Sequence, residues 1–558
     1  MLKIINGQIY DPAKGIHGEV KDLYIQDGKI IKGSGLDLNP TQGVNSFAPD
    51  GSKVLDATGC VVFPGGVEIH SHIAGPKVNS ARIMFPEDHY EHFRARTQAT
   101  RSGTGYTVPS TFLTGYLYAG LGYTTIFEAA VPPLKARQAH EELLDTPLLD
   151  KGFYTLMGNN YMMMKILSEP DSQGRKERLR TLVSWLLRSS KGYAVKAVNP
   201  GGVESWKWGQ GATGLDSPVP PFGVTPRQIM LELVEAVEGL HLPHPLHLHA
   251  NHLGEPGNVE TTLETMRTLE GHCVHFTHLQ FHAYGSTERG GIKSAAPQIA
   301  EYLNQHPEFT CDVGQIVFGP ATTMTADAPV QFNLHRLTGG KWGNSDIEME
   351  TGSGIVAITY RPDNLVNAIQ WSIGLELLLL VKNPWQIFLT TDHPNAGPFT
   401  AYPEIIRLLM DADYRRDWLG KLHPKAQRYT YLMEINREYT LAEIAIITRA
   451  GQARALGLNQ KGHLGEGAQA DVAVYRLQAD KQAMFSRPAY VLKDGELIVR
   501  DGEVLRDRPG RTLYVNPEGD TKLPSDLADN FSNYYTVALS NFPVEEEYVV
   551  RSEVIPCI

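Results

Sequence analysis

Residues 65–72 read Gly65-Gly66-Val67-Glu68-Ile69-His70-Ser71-His72, a short apolar segment that ends in two histidines spaced two apart. Alternate side chains of an extended strand share a face, so both imidazoles project together, ~7 Å apart at the backbone, and one cation can take both. A lone His-x-His is weak by itself, because the chain holds 20 histidines and imidazole also serves in packing and hydrogen bonding. Downstream, apolar strands alternate with helical patterns, the grammar of a parallel sheet with crossover helices. Candidate strands include 61–63, 124–128, 194–198, 245–249, 273–277, 310–317 and 387–391. The clearest helix is 226–240: Thr225 can cap it, Pro226 fits its first turn, and Ile229, Leu233, Val234, Val237 and Leu240 form one apolar stripe. A doubly wound open sheet alternates in the same way. The chemistry-bearing residues fall at strand C-terminal ends, where a barrel builds its site, and this favours an α/β fold of the (β/α)8, TIM-like kind.

The two chain ends read differently. Short strands at 2–5, 8–10, 22–25 and 29–31 are separated by Asn6-Gly7 and Asp27-Gly28, and dipeptides of this kind fit tight hairpin turns because both positions need positive φ. The same grammar returns at 470–475 and 490–499 around Asp494-Gly495, so the two ends are expected to pair into one small β-sandwich. The expected organisation is 1–62, first half of the sandwich; 63–450, the barrel; 451–512, second half; and 513–558, a C-terminal extension. From about Gly510 the chain reads as an irregular tail and a candidate interaction segment.

Bulk properties bound the function. At 558 residues the chain exceeds the roughly 250–300 at which a single core stops growing, so a satellite domain is expected. The apolar run 375–381 is broken by Glu376 and falls far short of the ~20 residues of a membrane span. No basic, apolar and cleavable leader opens the sequence, and a cytoplasmic location follows as an expectation. Cys60, Cys273, Cys311 and Cys557 form no Cys-x-x-Cys pair, which disfavours an iron–sulfur cluster, a thiolate zinc site or a disulfide framework. A net charge of −11 with no clustered basic face disfavours nucleic acid as a partner.

Further along, Lys196 sits inside Tyr193-Ala194-Val195-Lys196-Ala197-Val198, a strand expected to be buried on both faces. A buried ammonium must lower its pKa, find a carboxylate or be chemically modified. A neutral ε-amine reacts with carbon dioxide to give a carbamate, which would bridge two cations; an ordinary buried ion pair is the other reading. His249 ends the strand segment 245–249, with His247 deeper and read as a packed residue and His252 as a supporting contact. His278 is the analogous candidate on the next strand, and Asp392 follows the apolar segment 386–389. Imidazoles and oxygen donors together suit zinc with an open position for water. Asp392 would then exchange a proton with that water and with a leaving nitrogen, since an amide anion leaves poorly.

The ordered set His70, His72, Lys196, His249, His278 and Asp392 resembles the amidohydrolase superfamily, specifically its hydantoinase-like branch with a carboxylated lysine and a split sandwich. Longer strings narrow the resemblance. Thr277-His278-Leu279-Gln280-Phe281-His282-Ala283-Tyr284-Gly285 and Thr391-Asp392-His393-Pro394-Asn395-Ala396-Gly397-Pro398-Phe399, with 72–82, 108–112, 114–116, 198–202 and 258–265, look like the A subunits of formylmethanofuran dehydrogenases and of the similar formyltransferase/hydrolase complexes. The resemblance implies two Zn2+ ions bridged by carboxylated Lys196 and reversible hydrolysis of the N-formyl group of formylmethanofuran to formate and methanofuran. It also implies other subunits of such a complex as partners, with either hydrolysis or condensation as the working direction. Asn79, Arg82, Asn199 and Asn251 become candidate substrate or supporting contacts. A free-standing cyclic-amide hydrolase, such as a dihydropyrimidinase, and a non-catalytic scaffold are the competing readings.

Overall fold

Eight parallel strands run in chain order around a barrel: Gly66–Ser71, Tyr123–Val131, Asp150–Leu156, Ala194–Val198, Leu246–His249, Val274–Phe276, Phe309–Asp312 and Ile387–Phe388. They belong to a computed structural model that describes residues 1–33, 46–47, 53–170, 173–210, 214–345, 353–519, 522–535 and 537–557. Each strand pairs with the next, and a parallel bridge between Ser71 and His393 joins the last turn of the barrel to the first. The His72 N–H donates to the His393 carbonyl across that seam, at 2.6 Å. The helices between strands follow from their apolar stripes. In Pro226–Gly239, the Thr225 hydroxyl accepts from the Gln228 N–H at 3.2 Å, and Ile229, Leu233, Val234 and Val237 turn inward. Among the described residues no helix is long and apolar enough to cross a membrane.

Both chain ends contribute to a second, ten-stranded sheet, in which Leu2–Asp11 pairs with Ile16–Gln26 and, through Cys60–Pro64, reaches Val472–Arg476 and Tyr490–Lys493. It curls over a core of its own that includes Ile4, Ile9, Leu23, Val62, Val472 and Leu492. The turns at Asp27-Gly28 and Asp494-Gly495 are tight hairpins with positive φ at both residues.

Three expectations change, and one strand is added. The segment 61–63 is not a barrel strand: Cys60–Pro64 lies in the end sheet, and the barrel begins after Gly65. Asn6-Gly7 does not turn the chain but bulges one continuous strand, because residues on both sides pair with the same partner strand. The third barrel strand, Asp150–Leu156, has no apolar signature at its start, where Asp150 and Lys151 are buried. The C-terminal region is not an irregular tail: Thr512–Val515 pairs in parallel with Ser552–Ile555 and meets the barrel at Lys151. Gly510 permits that approach, since a Cβ there would lie 1.7 Å from the Leu149 carbonyl oxygen. Trp185 of the helix Gln173–Ser190 stacks on Phe542, with ring centroids 5.2 Å apart.

Barrel, end sheet and C-terminal strands meet at one buried ion cluster. Asp150 receives Lys461 Nζ at 2.6 Å, Lys493 Nζ at 2.8 Å and Arg511 Nη1 at 3.2 Å, while Asp471 shares both lysines. Burial alone would raise the Asp150 carboxyl, but those cations hold it well below the usual carboxylate range. Replacing it leaves two buried ammoniums to one carboxylate. Asp150→Asn is therefore expected to cost roughly 3–5 kcal/mol, measured by denaturant unfolding, and an unchanged midpoint would show that the cluster is not what joins the three parts.

Candidate metal centre

His70 and His72 occupy the end of the first barrel strand, with Ser71 turned the other way to accept from the Tyr118 hydroxyl at 2.9 Å. Across the seam, Asp392 follows the eighth strand with φ of 46°, a left-handed conformation uncommon outside glycine but tolerated by Asp, Asn and His. His278 and Asn199 share that conformation, at 36° and 41°, also directly after barrel strands. Backbone in this region clusters at functional sites, where the surrounding structure holds it.

Asp392 Oδ1 lies 3.0 Å from His70 Nε2 and 3.2 Å from His72 Nε2. All three side chains are buried, and their ligand atoms converge closely enough to hold one metal ion. Neither oxygen of Asp392 nor His70 Nε2 makes an aligned hydrogen bond. Lone-pair atoms gathered without an aligned proton between them suit a shared cation: donors bound to one tetrahedral zinc sit about 3.3 Å apart.

The opposite nitrogen of each ring is tied to a partner. His70 Nδ1 is 3.1 Å from Asp312 Oδ2, and His72 Nδ1 is 3.1 Å from Glu128 Oε1. His249 Nε2 is 3.1 Å from Asp327 Oδ2, and His278 Nε2 is 2.9 Å from Thr277 Oγ1. The free nitrogens of the last two, His249 Nδ1 and His278 Nδ1, have no partner although buried. Partners of this kind fix ring orientation and raise ligand basicity, which is how metal-binding histidines are held. The four rings form an arc, with centroids 5.5 Å apart from His72 to His70, 5.4 Å from His70 to His278 and 4.6 Å from His278 to His249. The buried, partnerless polar atoms along it fit one or more cations better than an empty core.

Lys196 stands in the fourth strand, in register with His247, and is 1% exposed. Its ammonium reaches Thr277 Oγ1 at 3.4 Å, and burial pushes its pKa down to about 7. Among the described residues it forms no ion pair, so the ordinary salt-bridge reading lacks a partner. Asn199 donates to Asp327 Oδ1 at 3.0 Å and accepts from Asn251 Nδ2 at 2.8 Å, which places both amides beside His249's partner. His252 is half-buried and bonds Thr261 through Nδ1, with Nε2 unpartnered. Asn79 and Arg82 bond Glu142, and Arg82 also donates to the Pro109 carbonyl at 3.1 Å.

Several residues at this centre had no place in the sequence reading. Glu128 accepts from the Ile73 and Ala74 N–H groups as well as facing His72, and Lys77 lies 3.3 Å from it and 2.9 Å from His72 Nδ1. Burial would raise the Glu128 carboxyl, but Lys77 and His72 bring it down to about 2. His282 packs against His249 and His278 with both nitrogens unpartnered. Glu128 and Asp312 carried the signal that exposed Lys196, a charge inside a buried strand; Asp327 lies in a loop and carried none.

A family model described as the amidohydrolase family matches residues 53–499. The chain is 46% identical over 575 residues to protein FwdA of Methanocaldococcus jannaschii, covering 99% of this chain and 98% of that one. It is 41% identical over 554 residues to the A subunit of the formyltransferase/hydrolase complex Fhc of Methylorubrum extorquens, covering 98% and 97%. A crystal structure of the formyltransferase/hydrolase complex (FhcABCD) from Methylorubrum extorquens in complex with methylofuran contains a chain that superposes with a TM-score of 0.93 at 40% identity, covering 100% of this chain and 99% of that one.

Proposed function

The chain belongs to the amidohydrolase family and is a metal-dependent hydrolase, and from that premise we propose that it hydrolyses, reversibly, the N-formyl group of a formylated furan-type carrier amine to formate and the free amine. The carrier class, methanofuran or a methylofuran-like relative, follows from the near full-length likeness to one component of a complex solved with methylofuran. By the same likeness the chain works as the corresponding component of a formyltransferase/hydrolase complex. The observation that carries the hydrolytic reading is the convergence of Asp392, His70 and His72 on a shared point, with both Asp392 oxygens and His70 Nε2 unpartnered.

We assign His70, His72 and Asp392 to one zinc ion, His249 and His278 to a second, and Lys196, as its carbamate, to both. A carbamate forms when a neutral ε-amine attacks carbon dioxide and gives up a proton, and burial, which favours the neutral form of Lys196, supports this reading. When bound, the ions supply Lewis-acid polarisation of the formyl carbonyl and lower the pKa of water. The chain's own part is proton traffic and orientation. Asp392 faces His70 and His72 through Oδ1, and as a carboxylate it can accept a proton from the attacking water. It then delivers that proton to the departing nitrogen, and the amine leaves neutral. Asn199 and Asn251 stand beside the mouth as candidate contacts to the carrier.

The reverse direction, condensation of formate with the amine, uses the same residues with each proton transfer reversed and is the second reading. The test is formate release by the purified protein with its co-purifying chains, on an N-formylated furfurylamine and on hydantoin. Turnover of the formyl amine, lost on dialysis against a chelator and restored by zinc, is expected. Ring opening of hydantoin instead would replace this reading with a cyclic-amide hydrolase, and a chain that never binds metal would leave a scaffold. A co-purifying formyltransferase without a molybdopterin-binding chain would favour hydrolysis; the converse would favour condensation.

A further inference from the structure

Beneath the centre, three imidazoles hydrogen-bond in series through the barrel interior. His70 Nδ1 lies 3.1 Å from His247 Nε2, His247 Nδ1 lies 2.9 Å from His244 Nε2, and His244 Nδ1 lies 2.6 Å from the Ala455 carbonyl oxygen. All three rings are buried, and aromatic neighbours cover their faces: Tyr154 stands 5.4 Å from His244 and 4.5 Å from His247, and His275 stacks on His247 at 4.6 Å.

The series ends, at both extremes, on a group that only accepts. At the floor it is the Ala455 carbonyl; at the top it is the Asp312 carboxylate, 3.1 Å from His70 Nδ1 and 3.2 Å from His275 Nε2. A carbonyl cannot donate, so His244 must carry its proton on Nδ1. Its Nε2 is then a lone pair, which the Nδ1–H of His247 fills. His247 Nε2 is bare in turn, and the group that satisfies it is the Nδ1–H of His70, shared with Asp312. Three neutral rings hold three protons, and this ordering places every one on an acceptor. The opposite ordering sets lone pair against lone pair at both ends, His244 Nδ1 against the Ala455 carbonyl and His70 Nδ1 against the Asp312 carboxylate.

We infer that His247 and His244 are positioning residues, which lock His70 with its proton on Nδ1 and its lone pair on Nε2, the atom facing Asp392. The inference rests on the reading of His70 as a metal ligand and adds the device that presents it. Ala455 ends the helix Gly451–Ala455, where the chain leaves the barrel, so the seat of that helix sets the direction of the whole series. His70, His247 and Asp312 also cluster closely enough for a cation of their own, but the hydrogen bonds already engage the atoms concerned.

Neutron diffraction from the zinc-loaded protein in D2O reads the tautomers directly: deuterium is expected on Nδ1 of His70, His247 and His244. Deuterium on His247 Nε2, or a metal between His70, His247 and Asp312, would overturn the inference. Zinc affinity, measured by competition with a chromophoric chelator, gives a second readout. His247→Leu should weaken it about tenfold, and His247→Gln, which keeps an acceptor towards His70, should return it to within about twofold. Equal losses in both variants, or none, would also overturn it, with the melting points of the metal-free variants as the control for folding. A wild-type chain that binds no zinc would sink the ligand reading and this inference with it, whereas a zinc-loaded chain with the wrong deuteron sinks the inference alone.

Discussion

Lys196→Ala is expected to abolish turnover and to empty the metal site, with zinc content falling from about two per chain towards zero. Three features of Lys196 lead there. Its ammonium is buried in the fourth barrel strand, its nearest hydrogen-bond partner is a hydroxyl at 3.4 Å, and it has no ion pair among the described residues. A lysine left charged and unpaired in such a place would be costly, so the group is either neutral or converted. It also sits one strand from His249 and shortly before the turn that carries Asn199, which places it among the ligands rather than in the packing behind them. A structural lysine with no link to metal makes a different forecast: Lys196→Ala would lower stability and leave zinc content untouched. Metal analysis of the folded variant separates the two, and partial recovery of zinc and activity with added acetate, which can occupy the vacated volume with a carboxylate, would support the bridging role. Full activity in the variant would refute it.

How far the sequence reached depends on whether a signal was local. His70 and His72 are readable because strand geometry alone puts alternate residues on one face, and Lys196 because a charge stands out in an apolar run. The barrel's repeating alternation is local too, and so are the hairpins at Asp27-Gly28 and Asp494-Gly495. Asp150–Leu156 was passed over because its first residues are charged, and what lets them be buried is supplied by Lys461, Lys493 and Arg511, hundreds of residues away. The strand at Thr512–Val515 was missed for a related reason: its edge is paired by Ser552–Ile555 and its docking depends on the bare backbone of Gly510. Asn6-Gly7 misled because the same positive φ that makes a hairpin also makes a bulge, and the choice lies with the partner strand. At the centre, Asp312 carried a local signal, a charge inside a buried strand, whereas Asp327 lies in a loop and meets His249 and Asn199 only in three dimensions.

Asp392→Asn should also abolish useful turnover, but with zinc retained, and this contrast separates proton transfer from metal binding. The substitution changes little else. Asparagine tolerates the left-handed backbone at this position as aspartate does, and the backbone bond from the Asn395 N–H to the residue 392 carbonyl, 2.7 Å, does not involve the side chain. Both carboxylate oxygens of Asp392 lack an aligned hydrogen-bond partner, so no buried donor is orphaned by the change. The amide oxygen keeps a weaker donor facing His70 and His72, while His70, His72, Lys196, His249 and His278 remain. What is lost is an atom that can take up a proton and give it back. Loss of a general acid–base group costs about 10²–10⁴-fold in kcat, and because the leaving amide nitrogen depends on that proton, the upper end is expected, with KM nearly unchanged. A variant that kept zinc and turned over at the wild-type rate would remove Asp392 from proton transfer. One that lost zinc together with activity would make it a ligand first, and would shift the role of proton carrier to another group at the centre, for which His282, buried against His249 and His278 with both nitrogens free, is a candidate.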